Sequence, residues 1–135
     1  MKNSILIVIV LALFSCRQPT KPEEKAVPIV GADADVHGCK GSAGYTWSAL
    51  KQKCIRVFED GVRLNAADTK VDQTTSAFAV FNEDSSEVEL FIPHVLNAVL
   101  VPKISGGVWA DSTYVLKEEK GKWQLEKDAQ LLYSN

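Results

Sequence analysis

The sequence lacks the motifs that identify most small enzymes and nucleic-acid-binding proteins. Its 135 residues include only two histidines. No Gly-x-Ser-x-Gly nucleophile motif occurs, and no glycine-rich loop leads into a helix to hold phosphate. The formal charge is −2, and no basic stripe with interleaved aromatic residues is present, which argues against nucleic acid as a partner. We therefore expect a protein that acts by binding, is not an enzyme and needs no cofactor.

A membrane-spanning helix is not predicted either. The apolar run that begins at Ile5 ends at Phe14, whereas a helix needs about 20 apolar residues to cross a bilayer. The run has the length of a secretory signal. It ends in Leu13-Phe14-Ser15-Cys16, which resembles the lipobox of bacterial lipoproteins. The resemblance implies a signal peptide over residues 1–15 and acyl chains such as palmitate on Cys16. The protein would then be anchored in the cell envelope, and Arg17 favours the outer membrane.

Cysteine is scarce, and the three residues present fall into two groups. Cys16 is the expected lipidation site, which leaves Cys39 and Cys54 as a pair. Because an exported chain folds in an oxidising compartment, we expect these two residues to form a disulfide. The bond would close a loop of about 16 residues and contribute about 3 kcal/mol in the chain-entropy treatment.

Composition divides the expected mature chain into a tether and one domain. Residues 16–30 contain three prolines and mixed charges, which is typical of an extended tether. Residues 31–135 are long enough for one domain. Within it we predict a Cys-bounded hairpin module over 31–64 and a β meander over 76–135.

Period-two alternation is the main structural pattern after the tether. The segment between the two domain cysteines predicts a β-hairpin closed near its base by the disulfide, with a short helix over 47–53 as the alternative. Val88, Leu90 and Ile92 alternate with Glu87, Glu89 and Phe91, which predicts a half-buried strand. The continuous apolar run over 97–104 predicts a more buried strand. The fold class is therefore all-β: a small antiparallel meander or barrel of five to six strands, preceded by the hairpin.

One group of residues and one tryptophan each allow two interpretations. Asp33, Asp35 and His37 would share one face of an extended strand and could bind a divalent cation with His94 as a further ligand. The alternative is a solvated polar edge, so we assign no metal ligand. Trp109, near a glycine turn, is either a core residue or an exposed interface anchor.

The C-terminal half carries a more specific resemblance. Ser105-Gly106-Gly107-Val108-Trp109, then Tyr114, Lys120-Gly121 and Ala129-Gln130-Leu131-Leu132-Tyr133 follow one another in that order. This order is similar to the end of the membrane-bound inhibitors of c-type lysozyme. That family shows a Ser-Gly-x-x-aromatic turn, a strand led by tyrosine, a Lys-Gly turn and a closing Ala-x-Leu-Tyr strand.

The resemblance implies a function and two binding residues. Members of the family are small β-barrel lipoproteins that protect peptidoglycan from host lysozyme. A serine and a lysine on two loops enter the cleft of the enzyme near its catalytic acids. Here they would be Ser105 and Lys120, with Lys127 as the alternative lysine. The expected partners are the membrane, through the lipid, and a basic protein such as lysozyme. The alternative is a structural or ligand-binding envelope lipoprotein with another partner and no inhibitory activity.

Overall fold

The computed structural model describes residues 33–68 and 75–135. The predicted signal peptide, Cys16 and the tether over 16–30 lie outside these residues. The described chain forms a 3-10 helix, Gly41–Ala43, a helix α1, Val57–Asp60, and the strands β1 Thr46–Ser48, β2 Lys53–Ile55, β3 Val62–Ala66, β4 Ser76–Phe81, β5 Glu87–Phe91, β6 Val99–Ser105, β7 Val108–Ala110, β8 Tyr114–Glu119, β9 Lys122–Lys127 and β10 Gln130–Ser134. Neither described helix is long and apolar enough to cross a membrane.

Eight of the strands close into an antiparallel barrel in the order β10-β3-β4-β5-β6-β7-β8-β9. The prediction of an all-β fold with a small barrel is therefore confirmed, but the expected number of five to six strands was too low. Closure pairs Tyr133 of β10 with Ala66 of β3. β3 begins at Val62, inside the range 31–64 predicted for the hairpin module, so the barrel begins earlier in the chain than residue 76.

Apolar side chains from alternate strand positions fill the barrel. Val88 and Leu90 of β5 point inward as the alternation predicted, and both are fully buried. Trp109 is only 4% exposed, which makes it a core residue rather than an interface anchor. The buried cluster consists of Leu64, Ala77, Ala79, Val88, Leu90, Ile92, Val101, Trp109, Tyr114, Leu116 and Leu125. Each fully buried valine or leucine contributes about 1.5–3 kcal/mol of transfer free energy.

The prediction of a more buried strand over 97–104 was wrong. Val101 of β6 is buried, but Leu100 is 45% exposed and Ile104 is 63% exposed. A strand in a closed single-layer barrel turns only one of its two faces toward the interior. The apolar run therefore supplies one fully buried core residue, with Val99 partly buried against the core cluster, and an outward apolar face.

The hairpin module packs beside the barrel as a separate two-stranded sheet. β1 pairs with β2, and Trp47 is the Cα partner of Cys54. The predicted disulfide between Cys39 and Cys54 is present. Ser48 pairs with Lys53 across a turn, so the structure has the hairpin and not the alternative helix over 47–53. The short helix α1 forms immediately after β2 instead.

The connections of the barrel alternate between its two ends, because each antiparallel strand reverses direction. We call one end the upper rim, formed by residues 82–86, 106–107 and 120–121. The other end, the lower rim, is formed by residues 92–98, 111–113 and 128–129. This division determines which loop residues can act together.

Candidate functional site

Ser105 and Lys120 both lie at the upper rim, on the β6–β7 and β8–β9 hairpins. Ser105 pairs with Val108 across the first turn, and Lys120 occupies the second turn between the paired Glu119 and Lys122. Both residues are exposed. Within the described part of the chain, neither side chain forms a hydrogen bond or an ion pair. Both are therefore available to a partner without breaking an internal contact.

The turn that carries Lys120 has an unusual backbone for a lysine. Lys120 has φ 53° and Gly121 has φ 80°, so both residues of this two-residue loop are left-handed, as in a type I′ hairpin. Glycine adopts this region without steric cost, whereas a residue with a Cβ does so uncommonly. The backbone N–H of Gly121 donates to Glu118 Oε1 at 2.7 Å and helps to hold the turn in this conformation.

Glu118 also connects this turn to the one that follows Ser105. Its backbone N–H donates to the carbonyl oxygen of Gly107 at 2.7 Å. Gly107 has φ 70°, and a Cβ built on it would lie 2.6 Å from the carbonyl oxygen of Glu118. Only glycine allows the backbone at position 107 to lie this close to the Glu118 carbonyl. The two turns are therefore held side by side at a short distance.

An aromatic cluster supports the upper rim from inside the barrel. The ring centroids of Phe81 and Trp109 are 5.0 Å apart, and those of Trp109 and Trp123 are 5.7 Å apart. The Trp109 Nε1–H donates to the carbonyl oxygen of Ser85 at 2.9 Å. Lys103 Nζ lies 4.9 Å from the centroid of the Trp109 ring, a cation–π distance. The turns of the upper rim are therefore supported by closely packed aromatic side chains.

Charged side chains of both signs lie around the aromatic cluster. The backbone N–H of Ser86 donates to Asp84 Oδ1 at 3.0 Å. This bond, followed by one from the Ser86 hydroxyl and by a smaller attraction to Lys103, lowers the pKa of Asp84 below its ordinary value. Asp84 is therefore charged at neutral pH. A partner at this rim meets the Asp84 carboxylate on the β4–β5 turn and the cations Lys103 of β6 and Lys120 of the β8–β9 turn.

Lys127, the alternative lysine, lies at the opposite end of the barrel. It ends β9 next to the lower rim and is the Cα partner of Tyr114. Its Nζ is 5.8 Å from the centroid of the Tyr114 ring. Ser105 and Lys120 thus share one rim, and Lys127 is separated from Ser105 by the length of the strands.

The acidic residues considered as metal ligands are engaged in local turns. Asp35 Oδ1 accepts the backbone N–H groups of His37 at 2.8 Å and Cys39 at 2.9 Å. Asp33 accepts the backbone N–H of Ser42, and this bond is the main reason why the pKa of Asp33 is lowered. Within residues 33–68 and 75–135, no three His, Cys, Asp or Glu side chains are grouped to hold a metal ion.

Glu89 is a buried polar anchor that the sequence did not reveal. Its side chain points away from the barrel core, as the alternation predicted, but the β1–β2 turn covers it and leaves it 2% exposed. The Ser48 hydroxyl donates to Oε2. The N–H of Ala49 donates to Oε1 at 2.9 Å, and that of Leu50 to Oε2 at 3.3 Å. The Glu89 side chain of β5 therefore attaches the hairpin turn to the barrel through three hydrogen bonds.

A groove of about 640 Å³ lies between the hairpin module and the barrel. We call it the hairpin groove. Phe78 and Phe91 form its floor, Thr46 and Trp47 of β1 form one wall with residues 35–37, and residues 92–93 and 95–98 form the other. No pattern in the sequence indicated it, because its walls come from three separate segments.

The upper-rim pair and the hairpin groove are thus two candidate sites on the described surface. The first consists of two exposed side chains on neighbouring turns, and the second is a groove lined by several segments. The chain matches no protein-family model, and it has no significant match among curated proteins or solved structures.

Proposed function

We propose that this chain is an envelope lipoprotein that inhibits a c-type lysozyme through its upper rim. Residues 1–15 would direct export, and acyl chains on Cys16 would anchor the protein, with the outer membrane as the expected location. The observation that carries the proposal is the placement of Ser105 and Lys120 on neighbouring exposed turns that Glu118 connects. The resemblance of the C-terminal half to membrane-bound lysozyme inhibitors supports the choice of target.

The chemistry of the pair suits a cleft that contains two carboxylic acids. The Lys120 ammonium can donate charge-assisted hydrogen bonds to carboxylates, which are about twice as strong as neutral ones. The Ser105 hydroxyl can donate to one acid and accept from a neighbouring group. The cleft excludes water once it is filled. These hydrogen bonds are therefore electrostatically stronger there than they would be in water.

The supporting structure lowers the cost of binding. Both turns are short, and the close approach of Gly107 to Glu118 restricts their relative movement. Little backbone entropy is therefore lost when a partner binds. The formal charge of −2 is also opposite to that of a basic enzyme, which favours their encounter.

The direct test is lysis of cell walls by a c-type lysozyme in the presence of the disulfide-intact protein. Lys120→Gln removes one charged partner, and we expect inhibition to weaken by about 10- to 100-fold, the range for a hydrogen bond to a charged group. Ser105→Ala removes a neutral hydrogen-bonding group and should weaken inhibition by about 3- to 10-fold. Lys127→Gln is the matched control at the opposite rim and should inhibit like the parent.

Gly107→Ala tests the spacing of the two turns separately from their side chains. A Cβ at this position would meet the Glu118 carbonyl, so the turns must separate, and inhibition should fall although Ser105 and Lys120 are unchanged. Absence of inhibition by a folded, disulfide-bonded protein would refute the proposal. Loss of inhibition in Lys127→Gln but not in Lys120→Gln would place the contact at the lower rim instead.

A further inference from the structure

The hairpin groove runs along the open edge of β1. Thr46 and Trp47 both line it, and consecutive strand residues point to opposite faces. No residue of β2 lines it, so the groove follows the edge of β1 and not one face of the hairpin. Among the described residues, β1 pairs with β2 alone. An edge strand presents unpaired N–H and C=O groups to whatever lies beside it.

The other surfaces of the groove are largely apolar and aromatic. Phe78 and Phe91 are Cα partners across β4 and β5 and form the floor. The His37 and Trp47 rings stack at 4.1 Å with an 8° interplanar angle. Leu96, in the opposite wall, is 96% exposed. A strand laid beside β1 would therefore place alternate side chains against apolar surface.

The charges of the groove have one sign. Asp35 and Glu89 line it, and none of its described lining residues is lysine or arginine. Both oxygens of Glu89 accept hydrogen bonds from the hairpin turn. Asp35 uses only Oδ1 for its turn, so its Oδ2 is available to a ligand. The acidic lining and the available Asp35 oxygen favour a cationic ligand.

We infer that the hairpin groove binds an extended peptide segment of a partner protein, with alternating apolar and basic side chains, as a third strand beside β1. The backbone of the peptide pairs with the β1 edge, which is the β-augmentation mode of recognition. Its apolar side chains pack on Phe78 and Phe91, and a basic side chain reaches Asp35. An oligosaccharide would leave the β1 edge unpaired and would need an open face of Trp47, one face of which His37 covers. The groove is separate from the upper rim, so this inference does not depend on lysozyme inhibition.

The test uses the full chain with its disulfide intact and a fluorescent, end-blocked hexapeptide of alternating lysine and valine. We expect saturable binding by fluorescence anisotropy, with amide NMR shifts concentrated on residues 46–48. A peptide with glutamate in place of lysine should bind at least tenfold more weakly. N-methylation of alternate peptide amides should weaken binding at least tenfold, because it removes the backbone donors that pair with β1.

Asp35→Asn keeps the Oδ1 acceptor of the turn and removes the charge, so we expect three- to tenfold weaker binding of the lysine peptide. Asp60→Asn is the matched control, since Asp60 is an exposed acid on α1 outside the groove. No binding of the lysine peptide, equal binding of the glutamate peptide or an unchanged affinity in Asp35→Asn would each overturn the inference. Saturable binding of chitotetraose without binding of the peptide would assign the groove to carbohydrate instead.

Discussion

The barrel and the hairpin module are stabilised in different ways. The barrel has eight strands in a closed ladder around one apolar cluster. The module has two strands of three residues each, one disulfide and the hydrogen bonds of Glu89. A two-stranded hairpin on its own is at best marginally stable in water. The barrel is therefore expected to unfold as a cooperative unit, while the module depends on a few local attachments.

This difference matters for the two candidate sites. The upper-rim pair stands on the barrel and shares its cooperativity. The hairpin groove has one wall from the module, so its shape depends on whether the module stays in place. Substitutions in the barrel core and in the attachment of the module therefore separate global from local stability.

Leu116→Ala should have the largest effect. Leu116 is fully buried in the barrel cluster and pairs with Trp109 and Leu125 on the flanking strands. Truncation leaves a cavity, and we expect the free energy of unfolding to fall by about 2–5 kcal/mol. Urea denaturation followed by tryptophan fluorescence and by circular dichroism should show one coincident, shifted transition. A loss below about 1 kcal/mol would contradict the assignment of this residue to a tightly packed core.

Glu89→Ala should have a smaller and local effect. It removes the acceptor of the Ser48 hydroxyl and of two backbone N–H groups in the β1–β2 turn. Unsatisfied buried donors cost about 1–3 kcal/mol. We expect faster hydrogen exchange over residues 46–55 and little change in the barrel strands.

Two substitutions sharpen this test. Glu89→Gln retains one acceptor oxygen and should loosen the hairpin less than alanine does. Glu87→Ala, on the same strand but exposed, should leave exchange in the hairpin unchanged. Equal acceleration of barrel and hairpin amides in Glu89→Ala would show that the module and the barrel form one cooperative unit.

Tyr133→Phe should have the smallest effect, and it should appear only at alkaline pH. Burial, with a smaller contribution from Tyr114, raises the pKa of Tyr133 above its ordinary value of 10.0. The unfolded chain therefore loses this proton first as the pH rises above about 10, and stability declines from there to the pKa of the folded state. Urea midpoints at pH 9 and pH 11 should decline less in Tyr133→Phe than in the parent. An identical decline in both proteins would contradict this assignment.

Local patterns in the sequence predicted a substantial part of the fold. Alternation of apolar and polar residues placed Val88 and Leu90 on the inner face of a strand, and the Cys39–Cys54 bond was predicted from the number of cysteines and the expectation of an oxidising compartment. The same patterns misjudged β6, because an apolar run does not show which of its residues face outward. They also missed β3 as a barrel strand, because a local pattern does not show that this segment pairs with β4 on one side and with β10 on the other.

The candidate sites were predicted to different degrees. Ser105 and Lys120 were identified from short motifs, but a motif does not say which end of a barrel a turn occupies. The number of strand reversals between the turns decides that, and it puts Lys120 beside Ser105 and Lys127 away from it. The hairpin groove could not be predicted, because its walls come together only when the module packs on β4 and β5.

Residue patterns were enough to predict the class of structure: short strands, polar turns and one hairpin closed by a disulfide. These features depend on residues that are close in the chain or on chemistry that a residue carries alone. Closure of the barrel, burial of Glu89 and the grouping of loops at each rim arise only when the chain is folded. Those features depend on pairing and packing between distant segments, and the free energy of such contacts is not encoded in any one local pattern.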